Sequence, residues 1–225
     1  MRPDDIVALI PAYNAAPFVG EVIRHASAHV PVVVVNDGST DGTLETARRT
    51  DARVIDQQPN QGKGVALKRG FTEALALGVR AVITLDADGQ HDPNEIPLFL
   101  ERYRQSGADL IIGERDFSRM PVVRRVSNTV GRQAFSWAIG RRVRDNQSGY
   151  RLLSRRLMAV VLESKERGYE FEMDMIVQCV KHGWAVVGVP IATIYGEEKS
   201  NIKPMQHVVQ FFRMVRNTRR AMRGA

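Results

Sequence analysis

The chain of 225 residues contains one cysteine, Cys179. With no second thiol, no disulfide forms within it, and a fold stapled by disulfides is excluded. A lone cysteine is most often a small buried apolar residue, and Cys179 is expected to be one. Long apolar runs are missing as well. No stretch approaches the ~18 residues that would mark a membrane-spanning helix. The start, MRPDDIVALIPAY, lacks an apolar signal core followed by a small-residue cleavage site, so a cytoplasmic protein is expected, peripheral at most to the inner face of the cell membrane. Acidic residues are absent from the last 27 positions, which hold Lys199, Lys203, Arg213, Arg216, Arg219, Arg220 and Arg223.

What remains is the composition of an ordinary globular chain, 44% hydrophobic and 25% charged, neither disordered nor collagen-like. The length suits one large domain, drawn at 1–203, with a short appendage over 204–225. The net charge of +7 lies wholly in those last 27 residues, because residues 1–198 carry equal numbers of acids and bases. On a helical wheel Val208, Phe211, Phe212, Val215 and Met222 share one side of it. Arg213, Arg216, Arg220 and Arg223 gather on the neighbouring side, and Arg219 interrupts the apolar one. A basic amphipathic helix suits an anionic membrane surface; the alternative is a terminal helix docked on the domain through its apolar residues. No helix-turn-helix, zinc knuckle or aromatic RNA-binding signature accompanies the charge, so no nucleic-acid partner is expected. A second basic stretch, 115–156, has eleven arginines against Asp116 and Asp145. A basic zone beside an acidic one suits a site that handles both a metal and phosphates.

Short apolar runs alternate with helical patterns through the first half. Strands are expected at 6–10, 31–35, 52–56, 80–85 and 109–113, and helices over 17–29, 43–50, 64–77 and 94–105, with Asp41 or Ser39 as cap of the second helix. This alternation implies an α/β fold, a mostly parallel sheet flanked by helices on both faces. The second half is less regular, with helices over 121–140, 154–165 and 170–182 and a strand pair or one bent strand over 184–194. In open parallel sheets ligands bind beyond the carboxyl ends of the strands. PAYN, NDGSTD, DADGQ and GER all follow strands and fall at that edge.

Asp86 and Asp88 stand at i and i+2 after an apolar strand. Such carboxylates point to opposite faces unless the chain turns, and Gly89 permits the turn. Both then reach one hard divalent cation, Mg²⁺ or Mn²⁺, whose other positions go to water and diphosphate oxygens. Asp37 is placed to accept hydrogen bonds from a base or ribose, or simply to shape a turn. Lys63 in NQGKG meets a phosphate or is solvated, although the phosphate-loop spacing is absent. No G-x-G-x-x-G follows the first strand either, which argues against a dinucleotide.

Taken together, Pro11-Ala12-Tyr13-Asn14, the NDGSTDGT run, NQGKGVALKRGF, Asp86 to His91, Gly113-Glu114-Arg115, DNQSGYR (145–151) and Tyr169-Glu170-Phe171-Glu172 resemble the inverting family 2 glycosyltransferases of GT-A fold. The likeness is nearest to the dolichol-phosphate mannose synthase group and its bacterial polyprenyl-phosphate relatives. It implies transfer of a sugar from a nucleoside-diphosphate sugar, GDP-mannose or a UDP-hexose, with inversion, to an acceptor that is first of all a polyprenyl phosphate. The resemblance assigns the nucleoside to Pro11, Tyr13 and Asp37, and the metal to Asp86, Asp88 and Gln90. It assigns diphosphate or acceptor phosphate to Arg115 with Arg124 or Arg125, and a closing loop to Lys199 and Ser200. Ala15, where the family often has glutamate, and Asn36, where it often has aspartate, leave the donor open. An ionised lipid phosphate needs no general base; a hydroxyl acceptor does, and Glu172 or Asp174 would serve. A sugar nucleotidyltransferase would need a glycine-rich segment near the first strand, where the chain reads IPAYNAAPF. A non-catalytic membrane- or nucleic-acid-binding protein would not need the aspartates.

Overall fold

The computed structural model describes residues 5–116 and 122–192, the backbone alone over 122–127, together with 215, 216, 218–220 and 222. Seven strands form one sheet: β1 Ile6–Ala12, β2 Val32–Asp37, β3 Arg53–Gln57, β4 Ala81–Thr84, β5 Leu110–Arg115, β6 Arg151–Ser154 and β7 Val186–Ile191, in the order β3-β2-β1-β4-β6-β5-β7. All neighbours are parallel except β6, which runs antiparallel to both β4 and β5. The helices are α1 Val19–Ser27, α2 Thr43–Arg48, α3 Lys63–Ala76, α4 Ile96–Ser106, α5 Val122–Ile139, α6 Arg155–Val161 and α7 Glu170–Lys181.

Side chains alternate across each strand, and both faces are buried, which is why the strands read as continuous apolar runs. Ile6, Ala8 and Ile10 pack under α1, α2 and α4 with Ile23, Ala47, Ile96 and Phe99. Val7 and Leu9 face the other way, onto Leu67 and Phe71 of α3, Phe135 of α5, Met158 of α6 and Met175 of α7. Cys179 belongs to this second core, fully buried, and burial pushes its thiol up to about 12.

The first five strands fall where the apolar runs put them. β6 was not expected. Its four residues, RLLS, fall where no strand was expected, between the helices expected over 121–140 and 154–165 and reaching the first residue of the second, and its first residue is a buried arginine. The 184–194 segment forms a single described strand, β7, paired with β5. The cap of α2 also differs from expectation. Gly42 occupies the cap position, while the Asp41 carboxylate accepts from the Thr43 amide at 3.0 Å and from the Ala16 amide at 3.2 Å, tying the β1 and β2 loops together.

In the C-terminal segment Val215 and Thr218 are buried and Met222 packs on the second core. The Arg219 guanidinium lies 4.8 Å over the Trp137 ring and donates to the Trp137 carbonyl at 3.2 Å. These positions, spaced three and four apart, form one helical face. The arginine that interrupts the apolar side in sequence is therefore part of the docked surface. Arg216 and Arg220 are exposed, and so are Trp137 and Val130 of α5, at 60% and 50%. No described helix is long and apolar enough to cross a membrane.

Candidate active site at the carboxyl edge of the sheet

The parallel strands bring the ends of β1, β2, β4 and β5 to one edge. Because β6 runs the other way, the loop before it, 145–150, arrives at that same edge. Strand order turns about β1 and β4, and a crevice opens where connections leave on opposite faces.

Asn14 locks the first two loops: its side-chain oxygen accepts from the Thr40 amide at 2.8 Å and its amide donates to the Ser39 hydroxyl at 3.0 Å. Pro11, the penultimate residue of β1, is half-buried, and Tyr13 projects with 53% exposure. Asp37, only 3% exposed, accepts from the Gln61 and Gly62 amides, each at 2.8 Å, and from the Gln57 side chain at 2.6 Å. Its main task here is to build the NQG loop rather than to face a base or ribose, and little of the carboxylate remains open to a ligand. Gly62, at φ 95°, then starts α3 with Lys63 in its first turn.

Lys63 is neither solvated nor open to a phosphate in this state. Its Nζ lies 2.6 Å from Asp86 Oδ1 and 3.1 Å from Glu172 Oε1, the three side chains being 16%, 27% and 7% exposed. Burial works against the ammonium, but Asp86 and Glu172 outweigh it and hold the lysine above its ordinary range. Burial likewise pushes the Asp86 carboxyl up, while the Lys63 ammonium pulls it down, and the net result lies below the usual carboxylate value. The Glu172 carboxylate is thus committed to Lys63, and Asp174 Oδ1 accepts from Gln178 at 3.1 Å. This corrects the expectation that Glu172 stands ready as a base.

Gly89, at φ 76°, makes the turn after Asp88, whose Oδ1 accepts the Gln90 amide at 3.0 Å. His91, buried and 5.2 Å from the Tyr150 ring, accepts the Asp86 amide on Nδ1 at 3.2 Å. Burial lowers its basicity, which suits the neutral ring that acceptor role requires. Among the described residues no three or more His, Cys, Asp or Glu gather as a metal cage. Two carboxylates and an amide oxygen on one turn nevertheless fit a hard cation that takes its remaining ligands from phosphate.

Arg115 at the end of β5 makes a forked pair with Asp145, Nε to Oδ2 at 2.7 Å and Nη2 to Oδ1 at 3.0 Å. Asp145 also accepts from the Gln147 and Ser148 amides, at 3.0 and 3.1 Å, so it shapes its own loop. Gly149 closes that loop against Asp86. A Cβ there would fall 2.7 Å from Asp86 Oδ2 and 3.0 Å from Lys63 Nζ. Gly149→Ala is therefore expected to lower turnover by about 100-fold, the usual penalty for ångström-scale misplacement, with a small change in melting temperature. Initial rates and a thermal melt of the variant check this; near-normal turnover would mean that the carboxylate position is not critical. Arg151, fully buried, ties the loop to α7 through the carbonyls of Ser148 at 2.7 Å, Asn146 at 3.1 Å and Glu172.

Pro11, Tyr13, Asp37, Lys63, Asp86, Asp88, Gln90 and Arg115 thus share one edge of the sheet. The side chains of Arg124 and Arg125, in the first turn of α5, lie outside the described residues, as do Lys199 and Ser200. Asp145, Gly149 and Arg151 entered the sequence reading only as parts of a motif. The leucine pair Leu152-Leu153 after Arg151 was the one local signal that the segment is structural.

The family model for glycosyl transferase family 2 matches residues 7–161. An undecaprenyl-phosphate mannosyltransferase from Micrococcus luteus is 32% identical over 85% of the chain and 84% of its own length. A polyprenol monophosphomannose synthase from Mycolicibacterium smegmatis is 31% identical over 82% of the chain and 76% of its own. Among solved structures, glucosyl-3-phosphoglycerate synthase from Mycobacterium tuberculosis aligns with a TM-score of 0.74 and 22% identity over 97% of the chain and 80% of its own, which shows a shared fold. With its strand-end loops and its match to the family model over most of its length, this chain belongs to glycosyl transferase family 2.

Proposed function

We propose that the protein transfers a sugar from a nucleoside-diphosphate sugar to a polyprenyl phosphate, with inversion and with a divalent ion. The observation that carries this reading is the state of the two carboxylates that would activate a hydroxyl: Glu172 holds Lys63 and Asp174 holds Gln178. A phosphate monoester, with a second pKa of about 6, is already an anionic nucleophile near neutral pH and needs neither. Its oxygen attacks the anomeric carbon on the face opposite the diphosphate; the new carbon–oxygen bond forms as the bond to the diphosphate breaks. The ion, Mg²⁺ or Mn²⁺, would be held by Asp86, Asp88 and Gln90 and would stabilise charge on the leaving diphosphate. Arg115, oriented by Asp145, adds a fixed positive charge at the same edge. Tyr13 offers an exposed ring to the nucleoside, and Arg124 or Arg125 would add a phosphate contact and Lys199 and Ser200 a closing loop, as the family resemblance implies.

Relatives support the reading. The matches include the mannosyltransferases above and a UDP-N-acetylglucosamine–dolichyl-phosphate N-acetylglucosaminyltransferase from Methanococcus voltae at 28% identity. The structural neighbour has been crystallised with Mn²⁺ and UDP. A lipid acceptor brings the domain to a membrane face, and the exposed Arg216 and Arg220 suit an anionic surface.

The test is thermal stabilisation by GDP and by UDP, each with and without Mn²⁺, followed by sugar transfer to a short polyprenyl phosphate. One nucleotide is expected to stabilise the protein by several degrees only when Mn²⁺ is present, which also names the donor class. Folded protein that responds to neither, or that glycosylates a hydroxyl and not the lipid phosphate, would overturn the proposal.

A further inference from the structure

We propose that Lys63 is a built-in counter-ion that occupies Asp86 until a divalent metal arrives, and that Glu172 is the second seat that lets it give way. The inference rests on reading Asp86 as a metal ligand. Lys63 Nζ stands 2.6 Å from Asp86 Oδ1, while on the other side Gly149 leaves no room beside Oδ2 for a side chain, since a Cβ there would fall 2.7 Å from it. Backbone at Gly149 has little freedom to retreat, since the Thr84 hydroxyl donates to its carbonyl at 2.8 Å. The lysine, a single charge on a flexible stem, is the group that can move.

A buried ammonium does not leave one carboxylate unaided, because an unpaired charge there is strongly unfavourable. Glu172 removes that obstacle. It is 7% exposed at the side chain, already 3.1 Å from the same nitrogen, and held on the first turn of α7. Lys63 therefore yields Asp86 and stays paired. The consequence is a site that binds metal weakly by itself, because the ion must displace a close ion pair while gaining only two carboxylates. A nucleoside diphosphate changes the balance, supplying oxygens for the metal and negative charge for the lysine. Metal and donor are then taken up together, and an idle enzyme keeps its acidic turn neutralised.

The experiment is nucleotide-free Mn²⁺ binding, read from the free-ion electron paramagnetic resonance signal up to millimolar Mn²⁺, in a double-mutant cycle. Lys63→Met is expected to tighten Mn²⁺ roughly tenfold in the native background and less than about twofold in an Asp86→Asn background, because the coupling runs through that carboxylate. Glu172→Gln, which keeps a hydrogen-bond acceptor for Lys63 and so guards against a misfolded methionine variant, is expected to weaken Mn²⁺ binding. A structural role alone would weaken binding in both variants. Equal tightening by Lys63→Met in both backgrounds would reduce the effect to general charge and overturn the proposal, as would no tightening at all. Absence of Mn²⁺ binding to the native protein even with GDP or UDP would instead remove the metal from Asp86, and the counter-ion role with it.

Discussion

Asparagine in place of Asp86 is expected to lower turnover by roughly 1,000-fold, about 4 kcal/mol of transition-state stabilisation, in a protein that stays folded. The change keeps shape and removes one charge. The amide oxygen still accepts from Lys63, which retains Glu172 at 3.1 Å, and the His91 ring still accepts the residue's backbone amide. What is lost is an anionic oxygen donor on the turn after β4. Stabilisation by nucleotide with Mn²⁺ should vanish in the same variant, while the melt without ligand shifts little. Rapid-quench measurement of sugar transfer, beside thermal melts with and without GDP or UDP and Mn²⁺, checks both halves. Turnover within tenfold of the native protein would show that the carboxylate is structural, and that the lysine beside it is the group that matters.

Arg151→Met should be the most destabilising single change near the site. The guanidinium is fully buried and its donors satisfy the carbonyls of Asn146, Ser148 and Glu172. Methionine fills much of the space and leaves those carbonyls without donors. Breaking a buried charged network of this kind costs about 3–5 kcal/mol. In a domain of this size that is a fall of roughly 10 °C in melting temperature. Activity should fall further than stability explains, because the same loop carries Asp145, which aims Arg115, and Gly149, which abuts Asp86. Arg151→Lys keeps the charge but lacks the planar fork, and an intermediate melt is expected. Urea unfolding of the three proteins with unchanged slope would check the ranking. A methionine variant as stable as the native protein would show that the loop holds itself through Asp145 and its two backbone contacts.

The fold was legible wherever pattern is local. Runs such as PVVVV and RAVITL followed by polar, glycine-bearing segments mark buried strands with loops at one edge, and Gly89 after Asp88 marks a turn at a positive φ that glycine adopts freely. Residues whose partners are distant in the chain were not legible. NQGKG reads equally as a phosphate contact or a solvated turn until Asp37 and Glu172 are brought to it.

From the residues themselves came the α/β alternation, the placement of PAYN, NDGSTD, DADGQ and GER at strand ends, the carboxylate pair on a glycine turn and the buried thiol of Cys179. These depend on period and turn chemistry, which act over a few residues. Tertiary structure alone decided that β6 enters between β4 and β5 in the opposite sense, and so brings the 145–150 loop, Asp145 and Gly149 to the site. It alone paired Lys63 with Asp86 and Glu172, and turned Arg219 from a break in an apolar face into a contact with Trp137. Burial of both sheet faces and the pairing of charges inside them are properties of the whole packed chain, and no window of sequence contains them.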